Sequence, residues 1–367
     1  MKAMTLIAPR KFKELDISLP TLGSDEVLVK TKIVGICGSD LLTYSGCWIK
    51  GYYWGVIMKI LAHARALVTG YPDPLADRIW FEILGHEVSG TIHDLGKNVS
   101  GFEYGQRIAL TPNISCHNCE ASRTGYENLC IRDMEIGSSG IQGALAEYVK
   151  IPAENIVVIP PTLSHEAAAM ADCVAVALHA VKLAEVKGDH KIAILGAGTM
   201  GLLILQVLKV LGLQNIAITD LNDYNLDLAK RLGAKYTFNP SHGNICEEVK
   251  RAIGQIDRVF ECVGGKAPTV NQALDLVGFH GRTIVIGNFT TTQKIEMIRF
   301  RKKESILLGC FRYTKSEFQE AVKMLIESEI NTDLIITHKF PIHRIRDAFE
   351  TALNAHKTKA IKVQIEF

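Results

Sequence analysis

Residues Lys191–Gly212 read KIAILGAGTMGLLILQVLKVLG. The run KIAIL is short, apolar and of strand length, whereas TMGLLILQVLKVLG is long enough for a helix. Between them, Gly196-Ala197-Gly198-Thr199-Met200-Gly201 spells GxGxxG. Alone that pattern is weak, and its glycines would serve strand–helix packing equally well. At a strand-to-helix junction it is the signature of a dinucleotide site. The glycines permit a tight turn and let the helix N-terminus, with Thr199 and Met200, approach a pyrophosphate. Asp220 ends the next strand, NIAITD. A carboxylate there accepts hydrogen bonds from both ribose hydroxyls and repels a 2′-phosphate. Leu221 and Asn222 follow it, with no arginine, so the expected cofactor is NAD.

Working outward, the same texture recurs. YNLDLAKRLGA reads as a helix, DRVFECVG and RTIVIG as strands, and APTVNQALDLVG as the helix between them. Uniformly apolar strands separated by amphipathic helices predict an α/β fold with a doubly wound parallel sheet. Upstream, SHEAAAMADCVAVALHAVKLAEV is alanine-rich and helical. The first 150 or so residues are short runs punctuated by glycine, such as EVLVKTKIVGI and VSGTIHDLG, which predict a β-rich, barrel-like unit. After Gly287 come SILLGCF, a helix near SEFQEAVKMLIES, and a last strand in AIKVQIEF. The expected division is 1–155, 156–290 and 291–367, the last returning to the sheet edge and to the first unit.

Length and composition narrow the function. The 367 residues, 47% hydrophobic, suffice for two cores. With 41 basic against 39 acidic residues, net +2, nothing favours nucleic acid or an acidic membrane. The start carries no apolar run of signal-peptide length, and no apolar stretch is uninterrupted enough to span a bilayer. Nine cysteines, an odd number, argue for reduced thiols and a cytoplasmic location.

Cys37, in CGSD, and His86 with Glu87, in LGHE, carry good zinc-ligand chemistry. Any one of them alone is more often structural. Together with GHEVSGTIHDLGKNV, AEYV at 146–149 and the GxGxxG, in order, they make the chain resemble the zinc-dependent medium-chain alcohol and polyol dehydrogenases. The resemblance runs over nearly the whole chain. It implies a GroES-like catalytic domain built from both chain ends, flanking a Rossmann domain, with one catalytic zinc facing the nicotinamide.

In that family a further ligand follows the barrel. Here the segment reads Asp172-Cys173-Val174-Ala175-Val176. By register Asp172 takes the place of the acid found in the sorbitol dehydrogenase-like branch, with Cys173 the competing donor. A shift of one residue turns a helical side chain by about 100°. In that branch the Glu of GHE binds zinc while the later acid holds water, so Glu87 and Asp172 can trade roles. GCFRY at 309–313 and THKFPIHRIRDAFETA are similar to the same branch, which implies that Arg312 and Tyr313 donate to substrate hydroxyls; a plain surface cation is the alternative for Arg312. Ser39 matches the hydroxyl that accepts the substrate proton, and Asp40 the acid that orients the zinc histidine. Leu42 stands where many relatives continue the proton relay with histidine.

The family's structural zinc uses four cysteines. Here Cys116, Cys119 and Cys130 are present, and Ser122 takes the third position. A serine is a poor zinc ligand, and His117 sits in the tight CxxC turn, so the lobe is expected to fold without zinc; three thiolates plus another donor is the alternative. Cys47, Cys246, Cys262 and Cys310 read as packing residues, and His93, His165 and His179 as surface or satisfied core groups. The stretch 46–82 reads as an insertion holding all three tryptophans, Trp48, Trp54 and Trp80, with a short amphipathic helix around Ile57–Ala64. It is expected to cap the substrate pocket or to make a subunit contact. The chain thus reads as an NAD-dependent zinc dehydrogenase of a polyol, sugar or cyclitol, assembled as a homodimer or homotetramer. The alternatives are another alcohol class, such as threonine or a simple secondary alcohol, and a zinc-free reductase-like or binding member of the fold.

Overall fold

The computed structural model describes residues 1–46, 82–138 and 141–367. The insertion, with its tryptophans, its amphipathic helix and Cys47, lies outside the described residues.

One sheet has six parallel strands, ordered Tyr236–Phe238, Ile216–Thr219, Ile192–Leu195, Ile256–Glu261, Val277–Val285 and Ile306–Gly309. Counted in chain order this is 3-2-1-4-5-6, the doubly wound arrangement. Ile192–Leu195 and Ile216–Thr219 are buried at every position, as strands covered on both faces must be. The helix Thr199–Val210 follows the first of these strands and packs against the helix Ala171–Leu183. The alanine-rich stretch predicted as one helix is two: His165–Ala168, capped by the Ser164 hydroxyl, and Ala171–Leu183. The break puts Asp172 and Cys173 in a first helical turn.

The second sheet has seven strands, six on its main path and Tyr148–Pro152 pairing at the side of Glu26–Gly35. The main path runs Ile336–Pro341, Lys362–Glu366, Glu26–Gly35, Glu87–Leu95, Arg107–Leu110 and Ile156–Val158. Both chain ends therefore build it. Ile156–Val158, just past residue 155, pairs in this sheet, and Ile306–Gly309, within 291–367, forms the edge of the parallel sheet.

Register in this second sheet positions the site. Glu26–Gly35 runs antiparallel to Glu87–Leu95 with Gly35 opposite Glu87, and to Lys362–Glu366 with Gly35 opposite Gln364. Cys37 leaves one strand where His86 enters its neighbour, although 48 positions intervene. A side chain at 35 would not fit: a Cβ there would lie 1.9 Å from Glu87 Oε2.

Candidate active site and metal centre

Cys37 stands at the N-cap of the helix Gly38–Ser45. Its amide donates to Asp40 Oδ2 at 2.9 Å, so the third helical residue closes the turn that presents the sulfur. Asp40 is buried, and its other oxygen lies 3.6 Å from His86 Nδ1 and accepts from the Gly85 amide at 3.4 Å. Asp40 thereby orients both candidate ligands. Burial disfavours a charged His86, but the Asp40 and Cys37 charges lift its pKa well above the usual histidine value. A cation is therefore at home at this spot.

The donor atoms of Cys37, His86 and Glu87 lie within 4.8 Å of one another, and those of Glu87, Asp172 and Cys173 likewise. The two trios share Glu87. Thiolate, imidazole and carboxylate at bond lengths of about 2.0–2.3 Å are a zinc donor set, and the space left by Gly35 admits the Glu87 carboxylate. The residues present fit zinc.

Asp172 is 8% exposed and accepts a short hydrogen bond from the Tyr313 hydroxyl. Burial, with Glu87 adding to it, pushes its pKa up to about 6, against the opposing pull of His86 and Tyr313. Cys173 lies against Glu87. Its thiol donates to Glu87 Oε1 at 3.0 Å, and burial followed by the Glu87 charge drives its pKa well above the usual thiol value.

Lys362 completes this group and was not singled out from the sequence. Its ammonium, 3% exposed as a residue, donates to both Glu87 oxygens at 2.7 and 2.8 Å, to the Ile36 carbonyl at 3.2 Å and to Cys173 Sγ at 3.4 Å. Burial opposes its charge, but Cys173, Glu87 and Cys37 raise its pKa. A buried carboxylate without such a partner would be costly. The available signal was a lysine inside the apolar strand AIKVQIEF. Gly35 was missed as well, since a strand glycine says nothing of what approaches it.

Ser39 is half-buried on the first turn after Cys37, and Leu42 is half-buried one turn on. Tyr313 is 2% exposed, and its hydroxyl is spent on Asp172 and on accepting from Thr111 Oγ1 at 3.3 Å. Arg312 is paired with Asp133 at 2.8 Å and Glu135 at 3.4 Å. Both candidate substrate donors thus already have protein partners. Arg312 is no plain surface cation.

At the dinucleotide turn, Gly198 caps the helix Thr199–Val210 and has nothing within 4 Å of where a Cβ would stand. Gly201 is required by packing, since a Cβ there would lie 1.8 Å from the Gly196 carbonyl oxygen. Asp220 accepts from the amides of Ala197 and Asn222, each at 2.8 Å, which fixes its carboxylate beside the turn. Thr199 Oγ1 donates to the Ile361 carbonyl at 2.8 Å, and Met200 packs against the apolar core.

In the lobe, Cys116, Cys119 and Cys130 also gather within 4.8 Å. Ser122 Oγ sits 3.2 Å from Cys119 Sγ and donates to the Cys119 carbonyl at 3.1 Å. His117 turns away to Glu154, 2.7 Å from Nε2. Three thiols and a hydroxyl do not make the closed four-ligand set of a structural zinc. Cys246, Cys262 and Cys310 pack against apolar clusters. His179 pairs with Glu317, His165 with Ser89, and His93 packs on Tyr148.

Comparison with known proteins agrees with this geometry. Residues 23–161 match the alcohol dehydrogenase GroES-like domain and residues 199–327 the zinc-binding dehydrogenase domain. A sorbitol dehydrogenase of Arabidopsis thaliana is 30% identical, over 98% of this chain and 94% of that protein. One of Bacillus subtilis (strain 168) is 29% identical over 100% of this chain and 97% of that protein. A zinc-binding dehydrogenase of Sinorhizobium meliloti 1021, solved with NADP bound, superposes with a TM-score of 0.83 at 27% identity, covering 100% of this chain and 99% of that one.

Proposed function

The chain belongs to the zinc-dependent medium-chain dehydrogenase family, and from that premise we propose that it oxidises a secondary hydroxyl of a polyol, sugar or cyclitol, reversibly, with NAD as acceptor. The observation that carries the chemistry is the convergence of Cys37, His86 and Glu87 within 4.8 Å, on a strand register that both chain ends enforce.

In this reading Cys37, His86 and Glu87 would hold the metal, with Asp172 close enough to Glu87 to trade roles with it. Zinc bound there supplies a Lewis acid that lowers the pKa of the substrate hydroxyl. Ser39 accepts the proton that leaves. Because Leu42 cannot pass it on, the proton continues to a ribose hydroxyl or to water. Asp40 keeps the His86 ring in line. Gly196, Gly198, Thr199, Met200 and Gly201 would hold the pyrophosphate of NAD, and Asp220 its adenosine ribose; bound there, NAD would supply the hydride acceptor. Asp220 supports NAD over NADP: its carboxylate, fixed beside the turn by the Ala197 amide, would repel a 2′-phosphate, and exposed Leu221 offers that phosphate no charge. Tyr313 holds Asp172 and reaches substrate through it, while Arg312 ties the segment before Tyr313 to Asp133 and Glu135.

The division into 1–155, 156–290 and 291–367 belongs to this reading, as does a homodimer or homotetramer. Ile306–Gly309 is the open edge of the parallel sheet, and Met297, Ile298 and Ile306 are exposed beside it. Among the described residues no helix is long and apolar enough to cross a membrane, and the eight described cysteines are free thiols, which suits the cytoplasm.

The test is a panel of polyols, cyclitols, threonine and monohydric alcohols with NAD or NADP, following reduced cofactor. Turnover of polyols or cyclitols with NAD is the expected result. Reaction confined to threonine or short monohydric alcohols overturns the substrate class, and equal use of NADP overturns the role given to Asp220.

A further inference from the structure

The lobe between Asn113 and Glu135 holds three thiols that the proposed reaction does not use. We propose that Cys116 and Cys119 close into a reversible disulfide when the protein meets a peroxide, making the lobe a thiol redox element in place of a metal site.

Four observations carry this. The three Sγ atoms lie within 4.8 Å of one another, so closure needs side-chain movement and little more. The fourth corner of the cluster is Ser122, a hydrogen-bond partner of Cys119 through both its hydroxyl, at 3.2 Å, and its amide, at 3.4 Å. His117, the one nearby nitrogen donor on this turn, is committed to Glu154. Finally, protein contacts hold the lobe in place of an ion. Asn128 Nδ2 donates to the Phe311 carbonyl at 2.9 Å, the Lys315 amide to Glu127 at 2.9 Å, and Arg312 is paired with Asp133 and Glu135.

The thiols differ in access. Cys116 is half-buried, whereas Cys119 and Cys130 are each 8% exposed. Peroxide therefore meets Cys116 first. Its sulfur attacks one peroxide oxygen, the O–O bond breaks, and Cys116 becomes a sulfenic acid with release of water. Cys119, three residues on, then attacks the Cys116 sulfur; the S–O bond breaks and a second water leaves. In sum two thiols and one hydrogen peroxide give one disulfide and two waters, with sulfur oxidised and peroxide reduced. Cys130 stays a buried thiol, and a dithiol reductant restores the starting state.

Cleavage at arginine separates the partners. Cys116 and Cys119 fall together on Ile108–Arg123, and Cys130 on Thr124–Arg132. The full-length protein is treated with hydrogen peroxide, alkylated with iodoacetamide, digested with trypsin and weighed by mass spectrometry. The expected result is that Ile108–Arg123 loses two hydrogens and both labels, Cys130 keeps its label, and dithiothreitol reverses the change. Cys119→Ser abolishes the loss of two hydrogens, and Cys130→Ser preserves it. Retention of both labels, a cross-link between the two peptides, or irreversible oxidation overturns the proposal. So does a second zinc per chain that stays bound through dialysis and protects these thiols. Each readout is independent of the substrate and cofactor assigned above.

Discussion

Two clusters in this molecule gather sulfur, and they are built on opposite plans. Around Cys37 the donors are of mixed kind: a thiolate, an imidazole and carboxylates, each held by a further group. Asp40 ties Cys37 to His86, Tyr313 ties down Asp172, and Lys362 holds Glu87. Around Cys116 the donors are alike, and one of the four corners is a hydroxyl. The first cluster sits in a register that three strands enforce. The second hangs in a lobe whose only ladder among the described residues is Asn113–Ile114 on Met134–Glu135, and which is fastened from outside by Arg312, the Phe311 carbonyl and the Lys315 amide. Proximity of cysteines is thus no sign of metal by itself; what surrounds the donors decides whether a cation is held or sulfur is left free to react.

The comparison can be broken at several points. Cys37→Ala should empty the first cluster of zinc and lower kcat/KM by roughly 10³-fold, about 4 kcal/mol. Metal analysis beside steady-state rates checks this, and zinc retention at full activity would move the centre elsewhere. Next in size is a pH effect on the frame joining the clusters. Glu317, at the start of the helix after Tyr313, pairs with His179 on the helix that carries Asp172. Despite burial, His179 and the Thr314 amide lower its pKa from 4.5 to about 2. The stabilisation is present above the unfolded value near 4.5 and is lost as pH falls through 2, worth about 3 kcal/mol. Denaturant titrations of the protein and of Glu317→Gln should differ by about that much at neutral pH and converge in strong acid.

Asp40→Asn should weaken zinc about 10–100-fold, read by competition with a chromogenic chelator, through loss of the group that sets the His86 ring. Smallest in its effect on turnover is Ser122→Cys. That variant completes a four-thiolate set, so the protein should take up a second zinc per chain with kcat unchanged. A stoichiometry that stays at one would show that the lobe excludes metal by geometry and not by its missing ligand.

Much of this was legible in the residues. GxGxxG between an apolar strand and a helix is a local pattern, and it folds locally. Asp220 follows from strand length alone. Cys37 and His86 are far apart in order, and only motif resemblance joined them; the reason they meet is the pairing of Gly35 with Glu87, which no window of sequence contains. Lys362 was missed because a lysine near the end of a strand ordinarily reaches solvent, and only the neighbouring strand shows that it turns inward. Arg312 and Tyr313 were read as free donors, whereas acids from the lobe and from the Ala171–Leu183 helix take them up. The 46–82 insertion lies outside the described residues.

The Thr199 hydroxyl is tethered to the carbonyl of Ile361, and the very next residue is Lys362. Consecutive Cα atoms are held about 3.8 Å apart, so the mouth of the dinucleotide turn and the floor of the metal cluster are fastened to adjacent links of one chain. Anything that displaced the start of the C-terminal strand Lys362–Glu366 would therefore disturb both chemistries together.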